Sequence, residues 1–233
     1  MSPPRLLLFD IDGTMLSCRG KGLRAMHRVM QALWGVAPVE IRIEPHGKTD
    51  PMLFEEVGAA YGLAPGEVGA RLVELQTAYV HALALELQEP GACQVKSGVT
   101  ELLELLLPRP EVTLGIVSGN LEATAWLKLR AAGLDAYFAA GAFGSDSRRR
   151  ADLVRLALDR FIARTGVPFT PNDVWVIGDT PDDVAGGRAH GTWTLAVATG
   201  SFARGDLELC NPDVVCDDFT QAAAVVDILC RVR

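Results

Sequence analysis

An apolar run, Leu6-Leu7-Leu8-Phe9, ends in two carboxylates one residue apart, Asp10 and Asp12, followed at once by Gly13 and Thr14. Packing gives no reason for a buried hydrophobic strand to stop in paired acids. Successive side chains along a strand point to opposite faces, so Asp10 and Asp12 can face one centre only if the backbone turns between them. Gly13 offers the freedom for that turn. One carboxylate could then attack an electrophile while the other moves a proton, the division that nucleophilic and acid/base catalysis require.

Two further clusters follow apolar runs, and an arginine run precedes a helix. Gly178-Asp179-Thr180-Pro181-Asp182-Asp183 stands after 174–177, with Thr180 as a candidate N-cap and Pro181 at a preferred first helical position. Alone it reads equally well as a capped helix. Beside the first cluster it reads as more, because Asp10, Asp12 and Asp179 together offer the hard oxygen ligands that suit Mg²⁺. Ser118-Gly119-Asn120 opens a helix and could bind an anion through a hydroxyl and backbone N–H groups, although a simple N-cap explains Ser118 as well. Arg148-Arg149-Arg150 precedes another helix, where the dipole disfavours a cation. That misfit favours a phosphate-facing arginine, with Arg150 preferred over Arg148 and Arg149 because it lies where loop becomes helix.

Positioning these residues requires a particular set of elements. Strands are expected at 5–9, 112–117, 174–177 and 192–197, alternating with helices at 98–107, 121–132, 151–165 and 181–190. This predicts an α/β fold with a Rossmann-like parallel sheet and helices on both faces. Such a sheet delivers the carboxyl ends of its strands, and with them Asp10, Asp12 and Asp179, to one edge. The segment from about 20 to 90 breaks the alternation with helices at 22–33, 51–61 and 65–87. It reads as an inserted small helical cap domain, 19–91, on an α/β core of 1–18 and 92–233, placed to act as a lid. A last helix, 220–229, packs on the sheet.

Composition excludes several classes. The 233 residues carry 22 Lys and Arg against 29 Asp and Glu, a formal charge of −7. With a pI near 5.1, this argues against nucleic-acid and acidic-membrane partners. No stretch approaches the roughly 20 apolar residues of a spanning helix, and the first residues do not resemble a signal peptide, so a cytoplasmic location is expected. The five cysteines form no C-x-x-C pair and no metal-ligand cluster with histidine, which reads as buried or incidental thiols.

In order and spacing, Asp10-x-Asp12-Gly13-Thr14, Ser118, Arg150 and Gly178-Asp179-x-x-x-Asp183 resemble the haloacid dehalogenase-like hydrolase superfamily along the whole chain, and the helical insertion resembles the small cap of its phosphoglycolate-phosphatase-type members. The resemblance implies Asp10 as nucleophile and Mg²⁺ ligand, and Asp12 as general acid/base with its backbone carbonyl on the metal. Asp179 would complete the protein ligands, and Asp183 would hold the metal's waters. Ser118 with the backbone of Gly119 and Asn120 would bind the transferring phosphoryl group, and Arg150 would stand where most members carry lysine.

Asp12 also bears on the reaction, since a departing alkoxide needs a proton and a departing halide does not. The expected activity is therefore Mg²⁺-dependent hydrolysis of a small phosphate monoester, phosphoglycolate-like or a sugar phosphate, through a phospho-aspartyl intermediate. Phosphoryl transfer of the hexose-phosphate mutase kind and non-catalytic sensing of a phosphometabolite are the alternatives. Lys48, in the polar loop Gly47-Lys48-Thr49-Asp50, is a candidate for substrate specificity. His27 and His46 receive no role.

Overall fold

The computed structural model describes residues 3–38, 40, 43–64 and 66–231. In chain order the first elements are β1 (Arg5–Phe9), β2 (Leu16–Ser17), α1 (Lys21–Trp34), α2 (Asp50–Ala60), α3 (Glu67–Ala70), α4 (Leu72–Glu86) and β3 (Gln94–Val95). Then come α5 (Val99–Leu106), β4 (Val112–Ser118), α6 (Glu122–Ala131), β5 (Gly141–Phe143), α7 (Arg150–Thr165), β6 (Val174–Gly178) and α8 (Pro181–Arg188). The chain ends through β7 (Trp193–Val197), α9 (Arg204–Glu208), β8 (Val214–Cys216) and α10 (Ala222–Cys230).

Six strands form one sheet in the order β5-β4-β1-β6-β7-β8, and every pairing in it is parallel. β1 is fully buried between β4 and β6, and its alternate side chains feed two cores. Leu7 and Phe9 join Leu102, Leu103, Ala125, Leu129 and Val225 of α5, α6 and α10 on one face. Leu6 and Leu8 join Leu153, Val154, Ala157 and Phe161 of α7 on the other. Continuous burial on both faces explains why β1 reads as an unbroken apolar run. β5 and β8, three residues each, carry too little pattern to be read from sequence.

Between β2 and β3 the chain runs through α1 to α4. These helices enclose their own apolar cluster, with Met26, Met30, Phe54, Leu75 and Tyr79 at 1% exposure or less. The expected single helix 65–87 is in fact two, α3 and α4, parted at Arg71; Pro65 lies outside the described residues. Arg71 leaves helical geometry, and its guanidinium turns to Glu74, to the Leu33 carbonyl and over the Trp34 ring.

The cysteines need a correction too. Cys18 and Cys93 are joined by a disulfide across 75 residues. β2 and β3 pair antiparallel, Leu16 with Val95 and Ser17 with Gln94, so the next opposed pair is Cys18 and Cys93. Only that tertiary register brings them together, and spacing along the chain carries no trace of it.

Candidate active site

The carboxyl ends of β1, β4 and β6 deliver Asp10, Ser118 and Asp179 to one cleft edge, as parallel strands must. The Asp10 N–H donates to the Ile177 carbonyl at 2.9 Å, tying the end of β1 to β6. Gly13, at φ +90°, turns the chain back, and a Cβ there would collide with the Asp179 carboxylate. Thr14 Oγ1 donates to Asp179 Oδ1 at 2.7 Å. The residues after the acids therefore shape the seat of Asp179, which explains a Gly-Thr pair there.

Asp10, Asp179 and Asp183 are 5%, 0% and 2% exposed, and each brings a carboxylate oxygen within 4.8 Å of the others. Burial pushes the Asp10 carboxyl well above the ordinary carboxylate range; Arg150 opposes that shift, and Asp183, Asp179 and Asp12 reinforce it. Asp179 is raised to about 7, first by burial and then by Asp183. Asp179 Oδ2 and Asp183 Oδ1 are buried without a hydrogen bond, the latter with only the charge of Arg150 Nε 3.2 Å away. Orphaned anionic oxygens are costly, and a small divalent cation with oxygen preference is the group that three such carboxylates fit. Asp183 stands with the cluster while also capping α8: its Oδ2 accepts from Thr180 Oγ1 at 2.7 Å and Thr180 N–H at 3.1 Å.

The cluster gives the metal-free protein a distinctive pH response. A carboxyl raised in the folded state stabilises the fold fully below its unfolded value near 3.8, and that contribution is lost as pH rises through about 7. For Asp179 alone the loss between pH 6 and pH 8 is on the order of 1 kcal/mol, a few degrees in Tm at this length. Melting in chelator should show that decline, and Mg²⁺ should raise Tm more at pH 8 than at pH 6. A flat profile with no Mg²⁺ effect would count against a cation site here.

The carboxylate of Asp12 is directed elsewhere. Its Oδ2 accepts from Lys128 Nζ at 2.6 Å and from Asn120 Nδ2 at 2.7 Å. Lys128 Nζ also donates to Asn120 Oδ1 at 2.6 Å, and Asn120 Nδ2 to Ser118 Oγ at 2.8 Å. Asp12 is thus held against the loop 118–120.

Of the three arginines, only Arg150 enters the cluster. Its Nη2 lies 3.2 Å from Asp10 Oδ1, its Nε 3.2 Å from Asp183 Oδ1, and its Nη1 donates to the Val117 carbonyl at 3.0 Å. Arg148 pairs with Glu55 at 2.7 Å, and Arg149 is exposed.

The helical insertion reaches the same loop. Asp50 accepts from the Leu121 N–H at 2.8 Å and from Thr124 Oγ1 at 3.1 Å, while its own N–H donates to the Gly119 carbonyl at 2.7 Å. His46 meets Ser201 at 2.6 Å. Lys48 lines the cleft with its amine on Glu56 at 2.7 Å, and His27 lies on Tyr61.

Sequence reasoning missed Lys128 and Asp50. For Lys128 a signal existed: it shares a buried helical stripe with Thr124, Ala125 and Leu129, where a lysine is rare unless paired. For Asp50 none did, since an acid beginning a helix reads as an ordinary N-terminal preference.

A family model described as haloacid dehalogenase-like hydrolase matches residues 4–191. No curated protein sequence matches the chain. Among solved structures, a predicted phosphoglycolate phosphatase from Haemophilus somnus superposes with a TM-score of 0.72 at 16% identity, covering 97% of this chain and 99% of that one. CbbY from Rhodobacter sphaeroides, solved with phosphate, gives 0.71 at 19%, covering 95% and 96%. A hydrolase from Pseudomonas syringae gives 0.71 at 19%, covering 98% and 100%. At these identities the structural likeness establishes a shared fold.

Proposed function

The chain belongs to the haloacid dehalogenase-like hydrolase family, and from that premise we propose that it is a Mg²⁺-dependent phosphatase acting on a small phosphate monoester. The observation that carries this is the separation of two carboxylates one residue apart. Asp10 lies buried in the acid cluster against Arg150, and Asp12 lies on Lys128 and Asn120 beside Ser118. That arrangement suits one nucleophile and one proton carrier.

In this reading Asp10 attacks phosphorus in line, forming an Asp10–phosphorus bond as the bond to the ester oxygen breaks. Asp12 gives that oxygen its proton. Asp12 then takes a proton from a water, which attacks phosphorus and releases Asp10 and phosphate. Asp10, Asp179 and the adjacent Asp183 would hold Mg²⁺, whose chemistry there is to neutralise charge on the phosphoryl oxygens. Ser118, the backbone of Gly119 and Asn120, and Arg150 bind those oxygens and orient the group.

Residues 19–91 serve as a cap, closed through Asp50 onto the phosphoryl-binding loop. A cleft of about 290 Å³ beneath it suits a metabolite-sized ester, and Lys48 is a candidate contact to the leaving group. The test is phosphate release from p-nitrophenyl phosphate and metabolite monoesters with Mg²⁺ and with chelator. Release that requires Mg²⁺ is expected. Transfer of phosphate to an added sugar phosphate, with none to water, would replace the reading by phosphomutase chemistry.

A further inference from the structure

The mechanism above makes no use of the Cys18–Cys93 disulfide, yet the bond lies at the foot of the site. Cys18 follows the Asp10–Thr14 segment closely and itself lines the cleft. Hydrogen bonds carry the position of the β2–β3 ribbon from there into the acid cluster. Lys96, just past β3, gives its N–H to the Met15 carbonyl at 2.9 Å and its ammonium to the Thr199 carbonyl at 2.5 Å. Thr199 Oγ1 donates to the Gly13 carbonyl at 2.7 Å, and Thr14 Oγ1 donates to Asp179. Asp179 has no slack on either side, since a Cβ on Gly13 or on Gly200 would collide with its carboxylate. A shift of the ribbon therefore reaches the seat of Asp179.

Without the sulfur bond little holds this ribbon. β2 and β3 are two residues each, and a lone two-stranded ribbon is marginal in water even at greater length. The Lys21–Glu89 ion pair also spans the two connections, but Glu89 is 74% exposed, where such a pair contributes little. The disulfide closes a loop across a separation of 75 residues, so opening it releases a large constraint.

Cys18 is also placed for exchange. Its position on the cleft gives an incoming thiolate a route that does not require unfolding. Arg19 and Lys21 flank it in sequence, and α1 begins at Lys21. Cationic side chains and the positive end of a helix both favour the thiolate form of a cysteine. Elsewhere, burial pushes the thiols of Cys216 and Cys230 above their ordinary value, which keeps them protonated and slow to react.

Resting on the phosphatase reading, we propose that Cys18–Cys93 is a thiol–disulfide exchange site that regulates the enzyme, with the oxidised form active and reduction by a dithiol lowering its activity. In the exchange the Cys18–Cys93 bond breaks and a sulfur–sulfur bond forms within the dithiol. Two electrons and two protons pass to the protein, leaving two cysteine thiols. The ribbon then loses its closure, and the seat of Asp179 loses its backing.

The experiment incubates native protein below its Tm with dithiothreitol or with the oxidised form of that reagent, then alkylates free thiols and locates them by mass spectrometry. Cys18 and Cys93 should be blocked in the oxidised protein and become alkylated on reduction without denaturant. Reduction should lower Tm by about 10 °C and shrink the rise in Tm produced by Mg²⁺. It should lower kcat/KM for p-nitrophenyl phosphate about ten-fold, reversibly on reoxidation. Cys18→Ser/Cys93→Ser should stand at the reduced level and ignore the dithiol, while Cys210→Ser/Cys216→Ser/Cys230→Ser should keep the whole response. Free Cys18 and Cys93 in the oxidised protein, or reduction only after unfolding, would overturn the site. So would an unchanged rate and Mg²⁺ response in reduced native protein, or a dithiol effect that persists in Cys18→Ser/Cys93→Ser. A redox-dependent Mg²⁺ response with no hydrolysis of any ester retains the exchange site and overturns the phosphatase reading.

Discussion

Replacing Asp10 by Asn should abolish Mg²⁺-dependent phosphate release, by at least about 10⁴-fold in kcat. An amide has nearly the shape of the carboxylate but neither its charge nor its nucleophilic lone pairs, so the covalent step is lost while the fold remains. Stability should change little. Asp10 is a buried acid pressed against Asp179 and Asp183, with its carboxyl held well above the usual range, so removing its charge relieves repulsion as well as costing Arg150 one of its three contacts. Melting temperature and kcat, measured on the same preparation, separate the two effects. Retained turnover in Asp10→Asn would move the nucleophile elsewhere, and lost turnover with a collapsed Tm would show a structural role instead.

Arg150→Ala should lower kcat/KM about 10³-fold, the scale set by losing a charged clamp on a transferring phosphoryl group. The more informative variant is Arg150→Lys, for which a loss near 10²-fold is expected. The guanidinium reaches Asp10, Asp183 and the Val117 carbonyl with three different nitrogens. One ammonium keeps the charge but cannot span all three. Steady-state kinetics of both variants across Mg²⁺ concentration checks this, and native rates in Arg150→Lys would show that charge alone suffices at this position.

The central strands were legible because they are buried on both faces. The expected 5–9 matches β1, and 112–117 and 174–177 fall one residue short of β4 and β6. There an apolar run and the polar residue that ends it are the same signal for strand and for site, which is why Asp10, Ser118 and Asp179 could be singled out together. The three-residue strands β5 and β8 and the two-residue pair β2 and β3 owe their existence to neighbours and not to their own pattern. Lys128 and Asp50 were hidden for a related reason. Each is an ordinary helix residue whose meaning comes from facing another element, as when Asp50 accepts from Leu121 and Thr124 more than 70 positions away. Arg150 lies between these cases, since a cation at a helix start marks itself as anomalous while its partners stay unknown.

The ribbon of β2 and β3, closed by Cys18 and Cys93, turns the two connections of the helical insertion into a single covalent pin. Two separate linkers would let the helices slide, twist and swing independently; one pin leaves chiefly a swing about its own base. Asp50, whose contacts reach the loop 118–121, is carried on the segment that this pin closes at Leu16 and Val95. Registration between the two walls of the cleft is in this sense written into the covalent closure of the insertion's base.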